Sequence, residues 1–272
     1  MQMTVVMPTV QDRAVSRIPT ICQLDACGLH PTVVEQPVDW PLGRISRRLM
    51  QVLILRAGLK QKTEWILCVE DDIDIDPRAR TRIEAIQQLN PCGPVSLWHT
   101  ARFTPAHPGL ISQPNNQSRW WGGVAMLFRA GQARQAIKIL TESTSQSSGW
   151  EVLLRPLGIL VTCPSLVEHR KLKRLATPRG PYVTSADYEG PDSHAILKNI
   201  WNWLPGRRQK SRVTIPYVAA AEIGITEYEA QWAFRALDLM HCIIENKSGW
   251  QRGKPIPWEQ PDPAKILQDT LC

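Results

Sequence analysis

The sequence predicts an α/β protein: a mostly parallel sheet of doubly wound type, flanked by helices, with a small C-terminal helical or winged-helix-like element. Three observations lead there. Across residues 4–98, short apolar runs alternate with stretches of helical apolar spacing, the β-α-β order that builds a parallel sheet. The apolar run 65–69 opens directly into Glu70, Asp71 and Asp72, placing carboxylates at the C-terminal end of a buried strand, where open α/β sheets bind ligands. From Val213 onward the pattern changes to two short helices and a β-ribbon.

In chain order, residues 4–9 read as a strand ending in a turn at Pro8-Thr9. Residues 16–29 read as a helix, with Ile18, Ile21, Leu24 and Cys27 or Gly28 at helical spacing and Ser16 as candidate cap. Residues 31–35 form a second strand, followed by a polar turn around Asp39-Trp40-Pro41. Residues 44–60 are a helix with Ile45, Leu49, Val52 and Leu53 inward. The strand 65–69 is followed by a helix over 77–89 and a fourth strand over 94–98. Residues 101–119 are Pro-rich and polar, a long loop of the kind that serves as a lid. Then come Trp120-Trp121-Gly122-Gly123, a strand at 124–128, a helix at 132–140, a helical turn from Glu151, a strand at 158–162, and a run 164–169 that ends on His169.

Positive charge is concentrated. Residues 170–212 carry ten basic side chains against three acidic ones, a local excess that equals the chain's net +7. A solvated linker explains this segment, whose three Gly and four Pro read as an irregular connection; a polyanion-binding surface explains it too. Division of the chain into a catalytic domain (1–175), a basic connection (176–212) and an accessory element (213–272) follows. In the last of these, residues 215–223 form a helix stopped by Gly224, and Thr226 opens another with Glu229 in capping-box position. Residues 242–245 and 255–258 then flank a basic tip holding Lys247, Arg252 and Lys254. That order fits a winged helix-turn-helix, and it equally fits a small helical cap on the catalytic domain.

Composition sets bounds. Hydrophobic residues at 43% and charged residues at 21% are ordinary for a soluble globular protein. Seven scattered cysteines without a CxxC pair argue against a zinc site or a disulfide framework, and point to a reducing, cytoplasmic location. No stretch is apolar enough to span a membrane, and no signal peptide is evident.

Three adjacent carboxylates repel one another, so a fold keeps them together more readily around a cation. Hard divalent ions take oxygen ligands and are commonly held by one or two carboxylates plus substrate phosphates. Capping of the next helix by Asp76-Pro77 accounts for Asp76 but not for the earlier triplet. A nucleotidyltransferase would also use paired carboxylates, but usually with a Gly-rich loop after the first strand, and Pro8-Thr9-Val10-Gln11 has no glycine. A purely DNA-binding module would leave the triplet without a purpose.

Taken together, Pro8-Thr9 with Asp12-Arg13, the Glu70-Asp71-Asp72 triplet, the Trp-Trp-Gly-Gly turn, Glu151 and the late Pro-Ser-Leu-Val-Glu-His169 resemble, in residues and order, glycosyltransferases of the GT-A fold. The resemblance covers about residues 3–170 and departs from the usual Asp-x-Asp motif, since this chain has Glu-Asp-Asp. It implies a nucleotide-sugar donor, a UDP-sugar, and a divalent ion, manganese or magnesium, held by Asp72 and His169. Pro8, Thr9, Asp12, Arg13, Glu70, Asp71, Gly122 and Gly123 would then contact the donor, and Glu151 would act as base.

Two acceptor classes compete. A carbohydrate or lipid-linked acceptor is the commonest across this fold. The basic stretch and the candidate wing favour double-stranded DNA, with a base such as 5-hydroxymethylcytosine flipped out and stacked on Trp120 or Trp121. Bacteriophage and TET-associated DNA-glycosylating enzymes look similar in organisation. Arg170, Lys171, Lys173, Arg174, Arg207, Arg208, Lys210, Lys247, Arg252 and Lys254 would then contact DNA phosphates.

Overall fold

The computed structural model describes residues 2–14, 17–40, 44–99, 108–112, 123–144, 149–170, 188, 190, 192–205, 214–246 and 249–255. The chain divides into two compact units, Met1–Pro191 and Asp192–Cys272.

In the first unit, β1 (Met3–Thr9), α1 (Ile18–Ala26), β2 (Pro31–Glu35), α2 (Arg44–Lys60) and β3 (Trp65–Val69) follow the predicted alternation. Next come β4 (Ile73–Ile75), α3 (Ala79–Leu89), β5 (Val95–Ser96), β6 (Gly109–Ser112), β7 (Ala125–Arg129), α4 (Ala130–Glu142), α5 (Trp150–Leu153), β8 (Leu160–Cys163) and β9 (Val167–His169). Seven strands form one sheet in the order β2-β1-β3-β7-β5-β8-β6. Strands β1, β2 and β3 pair in parallel, as do β5 and β8, while β7 and β6 run against their neighbours. The sheet is therefore α/β and mostly parallel, as the sequence predicts, with two reversed strands. A parallel pairing needs a crossover element, and no helix is described between β5 and β7.

Strand order explains where a site can form. The chain leaves β1 for β2 on one side, then returns across β1 to β3 on the other. Right-handed crossovers put α1 and α2 on opposite faces and open a crevice between the carboxyl ends of β1 and β3. Thr9 ends β1, and Glu70, Asp71 and Asp72 follow β3.

One face of the sheet presents Val6, Ile66, Cys68, Met126 and Phe128 to Met50, Ile54 and Leu55 of α2 and to Ala133, Ala136 and Leu140 of α4. Trp150 stacks on Phe128 with ring centroids 5.5 Å apart, anchoring α5. Expectation and structure differ on α2. Leu49, expected inward, is 45% exposed, because the buried stripe runs through Met50, Ile54 and Leu55. The expected loop at 101–119 contains the edge strand β6, antiparallel to β8.

A second, two-stranded sheet pairs β4 with β9, setting Ile73 opposite His169 and Asp74 opposite Glu168. The expected elements include no strand at 73–75, although Ile-Asp-Ile-Asp alternates with the period of one.

The second unit contains α6 (Ser193–Trp203), α7 (Pro216–Ile223), α8 (Glu227–Leu239) and the hairpin β10 (Ile243–Asn246) with β11 (Gly249–Arg252). Helix α6 lies inside the stretch expected to be an irregular connection. Its N-cap Asp192 accepts a bond from Ala195 N at 3.0 Å, and Ile196, Leu197 and Ile200 are buried. Gly224 ends α7 in the left-handed region at φ 79°, and Thr226 and Glu229 close a capping box at the start of α8. The strand that pairs with β10 is Gly249–Arg252, inside the expected basic tip; of the expected strand 255–258, only Pro255 lies among the described residues. Thr214 bridges to Gly249, so the order is helix, bridge strand, helix, glycine turn, helix, hairpin.

Candidate metal centre

The acidic turn is held from three sides. From β1, Thr9 Oγ1 donates to Asp71 Oδ2 at 2.6 Å. From the 3₁₀ turn Gln11–Arg13, Arg13 Nη1 donates to Asp71 Oδ1 at 2.6 Å and to Asp72 Oδ2 at 2.8 Å. From α1, Thr20 Oγ1 donates to the carbonyls of Asp71 (3.0 Å) and Ile73 (2.9 Å), while Gln23 bonds the side chain of Asp74 (3.1 Å) and the backbone N–H of Ile75 (2.8 Å). These contacts explain how Asp71 and Asp72 can be 4% and 3% exposed. A buried carboxylate without such donors would revert to its neutral acid.

Strand β9 supplies the opposite wall. His169 Nε2 lies 3.3 Å from Glu70 Oε2 and 3.5 Å from Asp72 Oδ1. Trp98, at the end of the β5 segment, sits beside it with ring centroids 6.5 Å apart. Asp72 Oδ1 is buried and accepts no hydrogen bond. One ligand atom each from Glu70, Asp72 and His169 can be chosen so that all lie within 4.8 Å of one another. A buried carboxylate oxygen with no hydrogen-bond donor calls for a positive charge, from protonated His169 at 3.5 Å or from a metal ion in its place, and the imidazole suits manganese better than calcium.

Electrostatics agree with a cation-ready site. Burial opposes a charge on His169, but Asp72 and then Glu70 outweigh it and raise the imidazole to about 9. Burial, then the adjacent Asp72 charge, pushes the Asp71 carboxyl above its usual range, against the pull of Arg13 and Thr9. For Arg13, burial is again the largest influence and is overcome by Asp72 and Asp71, so its guanidinium is held more firmly charged.

The predicted residues fall out unevenly. Thr9, Arg13, Glu70, Asp71, Asp72 and His169 come together, and Pro8 precedes Thr9 on β1. Arg13, expected to face the donor, spends its Nη1 on the two aspartates. Gly123 is half-buried in the turn before β7; Asp12 and Glu151 lie on the 3₁₀ turn and on α5. Trp120, Trp121, Gly122, Lys171, Lys173, Arg174, Arg207, Arg208, Lys210 and Lys247 lie outside the described residues.

Arg170 and Arg252, expected to contact DNA, have partners within the protein. Arg170 turns inward: its N–H donates to Asp72 O at 2.8 Å, its Nη2 donates to Thr20 Oγ1 and to Asp71 O at 3.2 Å, and its Nε lies 3.6 Å from Asp74 Oδ1. Its side chain is only 10% exposed, since Asp74 is a buried acid that needs a partner. Arg252 is in β11 rather than at a wing tip, with its guanidinium over the Trp201 ring at 5.2 Å. Lys254 is exposed just beyond that strand. Thr20 and Gln23 were not singled out in the sequence. Polar residues on an otherwise apolar helix face were the available signal.

No protein-family model matches this sequence, and no curated protein matches it. Among solved structures, the chain is similar to a glycosyltransferase involved in glycosylation of the major capsid of PBCV-1, with 10% identity, a TM-score of 0.38, and coverage of 60% of this chain and 83% of that one. It is similar also to 4-diphosphocytidyl-2C-methyl-D-erythritol synthase from Anaerococcus prevotii, at 11% identity and TM-score 0.39, covering 60% of this chain and 90% of that one. A third is a nucleoside-diphosphate-sugar pyrophosphorylase from Vibrio cholerae, at 18% identity and TM-score 0.35, covering 62% and 76%. Likenesses this loose carry no functional weight; the site's own geometry does. Among the described residues, no helix is long and apolar enough to cross a membrane.

Proposed function

We propose that this chain is a metal-dependent glycosyltransferase that moves a sugar from a nucleotide-sugar, a UDP-sugar, to an acceptor hydroxyl. One observation carries the reading: the buried, hydrogen-bond-free Asp72 Oδ1 facing His169 Nε2 and Glu70, in the crevice between β1 and β3. Glu70, Asp72 and His169 would hold the ion, manganese or magnesium. When bound, it would neutralise the diphosphate as the bond to the sugar breaks.

The chain's own residues have separate tasks. Thr9, Thr20 and Arg170 fix the acidic turn, so that Asp72 meets the donor in a set geometry. In transfer, the bond between the anomeric carbon and the diphosphate oxygen breaks with its electron pair leaving on oxygen. The acceptor oxygen bonds to that carbon, and its proton passes to a carboxylate. Glu151, in the first turn of α5, is the residue that the GT-A resemblance implies as that base. Asp12, Gly122 and Gly123 are proposed donor contacts on the same resemblance.

For the acceptor, we favour a hydroxymethylated base in double-stranded DNA. The charge excess over 170–212 supports it, as does the helix–turn–helix–hairpin order of the second unit. Phosphate contacts would come from Lys171, Lys173, Arg174, Arg207, Arg208, Lys210, Lys247 and Lys254, and base stacking from Trp120 and Trp121. The test is incubation with manganese, a panel of UDP-sugars and hydroxymethylated duplex DNA, followed by nucleoside mass spectrometry. A hexose or hexosamine mass gain on the modified base supports donor and acceptor together. Transfer only to oligosaccharides would replace DNA by a carbohydrate acceptor, and no transfer to either would sink the reading.

A further inference from the structure

Arg13 sits against both aspartates of the acidic turn. Its Nη1 alone bridges two carboxylates, Asp71 Oδ1 at 2.6 Å and Asp72 Oδ2 at 2.8 Å. Its side chain is 19% exposed, so the bridge is shielded from water. Thr9 Oγ1 takes the other Asp71 oxygen at 2.6 Å. Of the four oxygens on Asp71 and Asp72, three are thus committed to donors, and the fourth, Asp72 Oδ1, faces His169.

Charge points the same way. Glu70, Asp71 and Asp72 bring three negative charges and Arg13 one positive charge. Arg13 therefore offsets, from within the protein, part of the negative charge that a second divalent ion would otherwise balance. Arg170 is occupied by Asp74 and by the carbonyl of Asp71, so it does not alter this balance. A second divalent ion would need Asp71 Oδ1 and Asp72 Oδ2, the two atoms the guanidinium already bridges.

We infer that Arg13 is a built-in cation that limits this site to one divalent ion and confines it to the side formed by Glu70, Asp72 and His169. The inference rests on the metal reading above and sharpens it. Two-ion sites clamp the attacking and leaving oxygens of a phosphoryl displacement at once. A site holding one ion and a fixed guanidinium suits departure of an intact nucleoside diphosphate, with a carboxylate rather than a second ion receiving the acceptor's proton. Arg13 is in this sense a specificity-determining residue, favouring sugar transfer over nucleotidyl transfer.

Manganese alone is the probe, titrated into the full chain by calorimetry with the free ion counted by electron paramagnetic resonance. Wild type is expected to bind one ion per chain. Arg13→Gln, which removes the charge and uncovers Asp71 Oδ1 and Asp72 Oδ2 while keeping a shorter polar side chain, is expected to bind two. Arg13→Lys keeps the charge, and is expected to bind one. Two ions in wild type or in Arg13→Lys, or one in Arg13→Gln, would overturn the inference while leaving the metal reading intact. No manganese binding by any form would overturn both.

Discussion

Asp72 and His169, 97 positions apart in the sequence, are brought to 3.5 Å by the three-residue pairing of β4 with β9, in which Ile73 stands opposite His169. The acid thereby shows one oxygen to Arg13 and the other to the imidazole. The ladder, not the side chains, fixes this separation, so the geometry is set before any ligand arrives. Preorganisation of this kind lowers the cost of binding.

Removing the charge of Asp72 tests that arrangement directly. Asp72→Asn keeps the shape but replaces an anionic ligand by an amide, and leaves Arg13 its bond to Asp71. Manganese affinity is expected to fall by more than about 100-fold, beyond the loss typical of supporting groups. The circular dichroism spectrum should stay that of the wild type. Unchanged manganese affinity would remove Asp72 from the ligand set.

Metal binding should depend on pH through His169. Its imidazole is raised to about 9 by Asp72 and Glu70 acting against burial, whereas only the neutral form can ligate an ion. Binding therefore expels one proton below that pH. Manganese affinity should climb by about tenfold per pH unit from about pH 6.5 to about pH 9, then level off. Without metal the sign reverses. The pairing of protonated His169 stabilises the fold fully below its ordinary pKa, and that stability is lost as pH rises through about 9. His169→Gln should flatten both profiles; a slope that persists in this variant would assign the proton to another group.

Much of the fold and the heart of the site could be read from the chain because the signals were local. The run Trp65–Val69 followed by three acids announces a strand end, and the capping box of Thr226 and Glu229 announces a helix start. What escaped was set by distant contacts. Asp74 looks like one more surface acid, yet it is buried against Gln23 from α1 and Arg170 from beyond β9. Arg170 heads a basic run, and only the β4–β9 ladder turns it toward Asp71 and Thr20. Leu49 fits a helical stripe, but the sheet selects the stripe one residue further on, through Met50 and Ile54. Local periodicity identifies an amphipathic element without saying which edge of its apolar face wins.

Arg170 offers a test of that tertiary role. Arg170→Ala takes the cation from the buried Asp74, which keeps its bond from Gln23, and removes the tie to the Asp71 carbonyl, so it should destabilise the protein by about 1–3 kcal/mol. The midpoint of urea unfolding should fall accordingly. Arg170→Lys retains a charge for Asp74 but cannot reach Asp71 O and Thr20 with the same fork, so stability should recover in part while manganese affinity stays reduced. If Arg170→Ala instead left stability unchanged and weakened DNA retention, the residue would belong to the acceptor surface after all.

In the second unit, Arg252 is a structural cation. Arg252 lies over Trp201 at 5.2 Å, and its Nε is buried without a hydrogen-bond partner. Arg252→Ala should cost about 0.5–2 kcal/mol of stability through that lost contact, and leave the salt dependence of DNA binding as it is. Arg207, Arg208 and Lys210 are the proposed phosphate contacts. If each meets one phosphate, replacing all three by Gln should lower the steepness of log K against log salt by roughly 0.9 per residue. Filter binding of duplex DNA across a salt series reads both effects. A triple variant whose slope matches the wild type would remove DNA phosphate contact from these three positions, and with it the main electrostatic support for a DNA acceptor.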